Sequence, residues 1–166
     1  MDFNFLINFL AALIPLITGF IWYHPKVLGA KWMEASGMTE EKARGSNMLL
    51  VFGLTYLFSL FLTLALQTLC IHQLHVVALL SNQVDSSSPD SEASLMLKKF
   101  MELFGTSYRT FKHGTFHGTF AGLMLALPII GINALFERKS FKYVAINTGY
   151  FIVTFALMGG VLCAFS

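Results

Sequence analysis

Residues 48–80 read MLLVFGLTYLFSLFLTLALQTLCIHQLHVVALL, a run without a single Asp, Glu, Lys or Arg. About 20 consecutive apolar residues are enough for an α-helix to cross a hydrocarbon core of roughly 30 Å. A straight helix through the whole run would reach roughly 50 Å, so the spanning part is read as residues 48–70. Residues 71–80, which carry His72, Gln73 and His75, are expected to project at or beyond the lipid headgroups.

Three further windows share this property: residues 3–23, 113–136 and 143–166. Every charged side chain of the chain falls outside the four windows. A charge at mid-membrane costs roughly 2.5 to 3.5 kcal/mol on insertion scales, so its absence from all four windows points to lipid as their solvent. The expected architecture is an all-α, polytopic membrane protein: one domain, 1–166, with four transmembrane helices in an antiparallel bundle. Composition agrees. The chain is 55% hydrophobic and 12% charged, about half the charged share of a soluble domain, and a soluble fold of this size could not cover so much apolar surface. A net charge of +2 on scattered basic residues gives no support to a nucleic-acid partner. The first window lacks the basic start and small-residue cleavage site of a signal peptide and is read as a retained helix.

Trp22 and Tyr23 end the first window where an interfacial aromatic belt belongs, and Pro25 discourages further helix. Two short helical pieces broken at Gly37 are expected before Asn47, the second starting at Thr39 with Glu40 and Glu41 in its first turn. The stretch 81–92, SNQVDSSSPDSE, has the composition of a disordered segment. Later in the same loop, which runs to residue 112, residues 95–104 carry Leu, Met and Phe around Lys98, Lys99 and Glu102, a pattern for an interfacial amphipathic helix or for a solvated helix packed on its neighbours. Pro15 and Pro128 fall inside the first and third windows and predict kinks. The first and third loops hold Lys26, Lys31, Lys42, Arg44, Arg138, Lys139 and Lys142, against Lys98, Lys99, Arg109 and Lys112 opposite. The positive-inside rule therefore puts both termini outside the cytoplasm, in a plasma (inner) membrane.

The tandem HGTF repeat at residues 113–120 opens the third helix. Its four-residue period nearly matches a helical turn, so Gly114, Gly118 and Gly122 line one stripe suited to close helix packing. His113 and His117 form a neighbouring stripe one turn apart, a spacing that can share one metal ion. The topology brings His72, His75, Cys70 and Cys163 to the same level. These six residues are the candidate ligands for zinc, copper or a haem iron, although interfacial histidines and membrane cysteines are common without a metal, and no cofactor is the default expectation. A disulfide between Cys70 and Cys163 is a further alternative. Asn8, Gln67, Asn133, Asn147, Thr148 and Tyr150 are expected to turn inward as hydrogen-bonding glue. No span holds an acidic residue, which disfavours a proton- or sodium-coupled pump. No Walker loop, dinucleotide fingerprint, nucleophile elbow or HExxH motif occurs, so no enzymatic role is expected.

Trp22-Tyr23-His24-Pro25, Leu28-Gly29, Trp32-Met33 and Ser36-Gly37-Met38-Thr39 run in order after the first helix. His117-Gly118, Asn147-Thr148-Gly149-Tyr150 and Leu157-Met158-Gly159 follow later. In these motifs the chain resembles the bacterial membrane proteins grouped as domain of unknown function DUF1761. The resemblance implies a four-helix membrane protein and leaves the activity open. His24 stands where that family more often has a small polar residue. Together with the inward polar positions, the motifs single out Trp22, Tyr23, His24, His117, Asn133, Asn147 and Tyr150 as a candidate functional cluster.

The leading expectation for function is a non-enzymatic subunit that packs through its glycine stripe into a homo-oligomer or a larger membrane complex. The first alternative is a facilitative channel or carrier for a small solute. The second is a metal- or haem-binding membrane protein.

Overall fold

The computed structural model of the chain describes residues 4–84 and 89–166. Among these residues every regular element is helical. Four stretches are long and apolar enough to cross a membrane: Phe5–Trp22, Met48–Cys70, Phe111–Phe136 and Phe141–Phe165. Their flanks expose large apolar side chains, Leu49 at 85% and Phe20 at 78%. Such faces are stable in lipid and not in water, which makes this a multi-pass membrane protein. Of the polar stretch 81–92, residues 85–88 lie outside the described residues, and Glu92 already belongs to a helix.

Both proline-bearing spans are interrupted where the missing N–H and the ring clash act. The first span is a helix Phe5–Ala11 followed by Ile14–Trp22, which restarts with Pro15 in its first turn. The Thr18 hydroxyl donates back to the Ile14 carbonyl at 2.9 Å, satisfying backbone near the break. In the third span, the wider π-helical turn Gly122–Ala126 precedes a helix Leu127–Phe136 that opens with Pro128. A π-turn moves the preceding carbonyls away from the proline ring, so the span bends without ending. The second span ends at Cys70 because Ile71 adopts an extended backbone, φ −109° and ψ 94°, after which the helix Gln73–Leu80 starts in a new direction.

The fourth span is the central element and touches the other three. Its Phe155, Met158 and Leu162 pack with Ala11 of the first span, Leu66 of the second and Ala121 of the third. Its closest partner is the third span. A Cβ added at Gly118 would fall inside the Phe155 carbonyl, one at Gly114 inside the Gly159 carbonyl, and one at Gly122 at 2.7 Å from the Ile152 backbone. These glycines let two backbones approach to a distance no other residue permits. The stripe is therefore occupied by the chain's own last helix and is not available to a second copy.

Polar side chains join the spans in the apolar interior. Asn8 donates from Nδ2 to Gln67 Oε1 at 2.9 Å, and the Thr18 and Thr154 hydroxyls lie 2.8 Å apart. Each such bond contributes roughly 0.6 to 2 kcal/mol in a membrane. Asn133, expected to turn inward, is exposed. It sits one turn before Glu137, where headgroups and water can solvate an amide. On the loop between the second and third spans, Ser91 caps the helix Glu92–Phe104, whose Leu95, Met96 and Leu103 face outward. An exposed apolar stripe of this kind suits an interfacial position.

A methyl group at Gly118 must force the third and fourth spans apart. We expect Gly118→Ala to destabilise the protein by about 1–3 kcal/mol, the usual scale of overpacking. Nothing lies near a Cβ at Gly53, so Gly53→Ala should leave the unfolding midpoint in detergent unchanged or raised. Equal midpoints for the two variants in thermal unfolding would contradict the close packing.

Candidate functional site

The face that carries the C-terminal end of the fourth span gathers four of the five histidines, His72, His75, His113 and His117. The extended residue Ile71 turns the chain at the end of the second span and swings His72 toward the start of the third. There Thr110 caps the helix, its Oγ1 accepting from the His113 amide at 3.2 Å, which puts His113 in the first turn and His117 one turn on. The three rings pack at centroid distances of 5.1 Å (His72 to His113), 5.0 Å (His72 to His117) and 4.5 Å (His113 to His117). His113 Nε2 lies 3.0 Å from His72 Nε2, and one ligand nitrogen from each of the three falls within 4.8 Å of the others. Nitrogens this close can share one proton, or one cation.

The surroundings hold this arrangement in place. Tyr108 covers the cluster edge, its ring 5.1 Å from His113 and 6.4 Å from His72. Its φ of 61° is left-handed backbone, which a tyrosine rarely adopts. Gln73 stabilises that turn from below, donating from Nε2 to the Phe104 and Ser107 carbonyls at 2.7 and 2.9 Å. Arg109 reaches the C-terminal end of the fourth span, donating from Nε to the Cys163 carbonyl at 2.9 Å and from Nη2 to the Ser166 carbonyl. A cation there complements the negative end of the helix dipole, while partial burial lowers the guanidinium pKa.

Not all six candidate ligands converge. His75 turns back onto its own segment, Nε2 at 3.0 Å from the Thr68 carbonyl. Cys70 and Cys163 are buried free thiols beneath the cluster. Their sulfurs act as donors, Cys70 to the Gly114 carbonyl at 3.7 Å and Cys163 to the Tyr108 carbonyl at 3.3 Å. A thiol engaged as a donor keeps its proton and is not a metal ligand in that state.

The opposite face gathers a different set. Asn147 is its centre: Oδ1 accepts from the Tyr23 hydroxyl at 3.0 Å and from Trp32 Nε1 at 3.2 Å, while Nδ2 donates to the Tyr143 carbonyl at 2.8 Å. Trp22 Nε1 donates to the Ile146 carbonyl at 3.0 Å, and the Tyr150 hydroxyl to the Pro15 carbonyl at 2.9 Å. Burial raises the Tyr23 pKa and keeps its hydroxyl a donor. Trp22, Tyr23, Asn147 and Tyr150 of the candidate cluster thus meet. His24 is exposed at the rim, where its Nδ1 accepts from the Lys26 amide. His117 belongs to the other face, and Asn133 to neither. The cluster satisfies its own polar atoms and clamps the first span and its loop to the fourth span.

Sequence reasoning named Gln73 and Arg109 only for their level and charge and did not assign them or Tyr108 to the site, because they lie in or beside a loop without periodicity. It also left out Trp32 as a site residue, although the Trp32-Met33 motif pointed to it.

The family model described as a protein of unknown function (DUF1761) matches residues 6–163, nearly the whole chain. This chain belongs to the DUF1761 family. Comparison with curated proteins and with solved structures gives no match. Of the motifs in which the chain resembles that family, Trp22-Tyr23, Trp32-Met33 and Asn147-Thr148-Gly149-Tyr150 supply the side chains that meet in the Asn147 clamp.

Removing the clamp's central amide leaves two half-buried donors, the Tyr23 hydroxyl and Trp32 Nε1, without their acceptor. We expect Asn147→Leu to cost about 1–3 kcal/mol per stranded donor. Tyr23→Phe in the Asn147→Leu background should then recover part of the loss, because it deletes one of those donors. Thermal unfolding of the single and double variants checks this; a double variant less stable than Asn147→Leu alone would contradict it.

Proposed function

We propose that this DUF1761 protein is a non-enzymatic membrane protein that binds one transition-metal ion through His72, His113 and His117. The single observation behind this is the meeting of three imidazole nitrogens within 4.8 Å of one another, from two segments far apart in sequence. Three nitrogens bound tetrahedrally to zinc at 2.0–2.1 Å stand about 3.4 Å apart. The 3.0 Å separation of His72 and His113 already approaches this, and rotation of His117 would complete the set. Imidazole donors suit zinc, copper(II) or nickel rather than magnesium or calcium. One coordination position would remain open to water or an incoming ligand. Haem fits this set less well: bis-histidine ligation separates the axial nitrogens by roughly 4 Å with the macrocycle between them, whereas His72 and His113 stand in direct contact. By the positive-inside rule the site faces away from the cytoplasm of a plasma membrane.

Purified protein titrated with zinc in mild detergent should bind one ion per chain. His113→Ala and His72→Ala should each weaken binding by at least about tenfold, with His75→Ala unchanged. Binding that is sub-stoichiometric, or equally affected by all three changes, would remove the proposal.

A second reading, association into a homo-oligomer or with a larger membrane complex, draws on a different surface. The first half of the second span is exposed along Leu49, Phe52 and Gly53, beside a groove of about 600 Å³ between it and the first span. Such a face accommodates another helix as readily as lipid, and the third-span glycines take no part. Gly53→Cys in native membranes should then yield a crosslinked dimer under mild oxidation, and persistent monomer would count against it. The channel alternative has less support, because the interior polar residues Asn8, Gln67, Thr18 and Thr154 are engaged with one another.

A further inference from the structure

The end of the molecule opposite the histidines carries two adjoining cavities of contrasting chemistry. One is a polar notch of about 540 Å³, set between the turn after the third span and the end of the helix Ala30–Ser36. Arg138, Lys139, Lys142 and Ser140 line it, together with Glu34 and Glu137. The other is an apolar cleft of about 430 Å³ between the third and fourth spans, running from Leu127 past Gly131 to Leu135 and closed by Phe141 and Val144. Lys139 lines both.

The charges of the notch are unevenly committed. Lys142 Nζ is paired with Glu34 at 2.6 Å, an ion pair that lowers the Glu34 pKa. Lys139 Nζ donates to the Ser36 carbonyl at 2.7 Å and lies 5.9 Å from the centre of the Tyr143 ring, and its positive charge has no counter-ion among the described residues. Among the described residues the Arg138 guanidinium has no partner, and Glu137 is the remaining acid. Arg138 also holds a conformation that favours glycine. The third span ends in a Schellman turn, Lys139 N to Ala134 O at 2.8 Å and Arg138 N to Leu135 O at 3.2 Å, with Arg138 at φ 54°. An arginine there is less favourable than glycine for the backbone, and it sets an unpaired guanidinium at the mouth of the notch.

We propose that these two cavities form one site for an anionic phospholipid. Its phosphate would lie against Arg138 and Lys139, and one acyl chain would run down the cleft. The stretch 127–135 covers roughly 12 Å of helix, enough to seat the upper part of an acyl chain. Guanidinium pairs with phosphate through parallel hydrogen bonds, and basic pockets between spans are where anionic headgroups dock. A free anion would leave the apolar cleft unfilled, and a zwitterionic lipid would leave the net positive charge uncompensated.

Native mass spectrometry of the full chain, released from bilayers of mixed phosphatidylglycerol and phosphatidylcholine, tests this directly. The wild type should retain one phosphatidylglycerol per chain in preference to phosphatidylcholine. Arg138→Gly removes the guanidinium while easing the backbone, so it should fold at least as well and lose the preference by about fivefold. Nothing lies near a Cβ at Gly131. Gly131→Leu should therefore keep the fold and, by filling the cleft, abolish retention of either lipid. Equal retention of the two lipids, retention unchanged in both variants, or full displacement by excess inorganic phosphate would overturn the proposal. Zinc binding at the distant histidines takes no part in the measurement.

Discussion

The backbone contact between the third and fourth spans fixes everything else in the molecule. Gly114, Gly118 and Gly122 lie against the backbone of the fourth helix at Gly159, Phe155 and Ile152. In lipid there is no water to expel from between helices, so association rests on close van der Waals packing and on hydrogen bonds. Glycines provide the first. They also set the rotation of the third span: with the glycine stripe turned inward, His113 and His117 emerge on the adjacent stripe toward the second span.

The two ends of the bundle show how an uncharged interior concentrates chemistry at its faces. Within the spans, Asn8 Nδ2 is paired with Gln67 and the Thr18 hydroxyl with that of Thr154. Asn8 Oδ1 and the Thr115 and Thr148 hydroxyls are instead buried without a hydrogen-bond partner among the described residues, so Thr148 is not the hydrogen-bonding glue expected of it. At one face the break at Ile71, the Thr110 cap and the strained Tyr108 turn hold three imidazoles together beneath an aromatic edge. At the other, the Asn147 clamp ties down the aromatic end of the first span, and the Glu137–Ser140 turn presents cations to the headgroup region. Arg109 and Gln73 do for the first face what Asn147 does for the second: each anchors an irregular segment by donating to or accepting from backbone and ring groups.

The membrane architecture was legible in the sequence because transfer into lipid is a local, additive property of consecutive side chains. The absence of charge from four windows is enough, whatever the helices do to one another. The same holds for the breaks at Pro15 and Pro128, where the missing N–H lies within the span itself. Asn133 shows the limit of that reasoning. An amide near the end of a span is solvated by headgroups, and the hydropathy pattern does not say on which side of that boundary it lies.

The sequence by itself determined four membrane-crossing helices, their order, and a shared level for Cys70, His72, His75, His113, His117 and Cys163. Only the tertiary structure decided that three of the six meet, that the thiols donate to carbonyls instead of facing the imidazoles, and that the glycine stripe is covered within the chain. The physical reason is that convergence depends on the rotation of each helix about its axis and on one extended residue at position 71. Both are set by contacts between residues 41 to 93 positions apart, which no local pattern encodes.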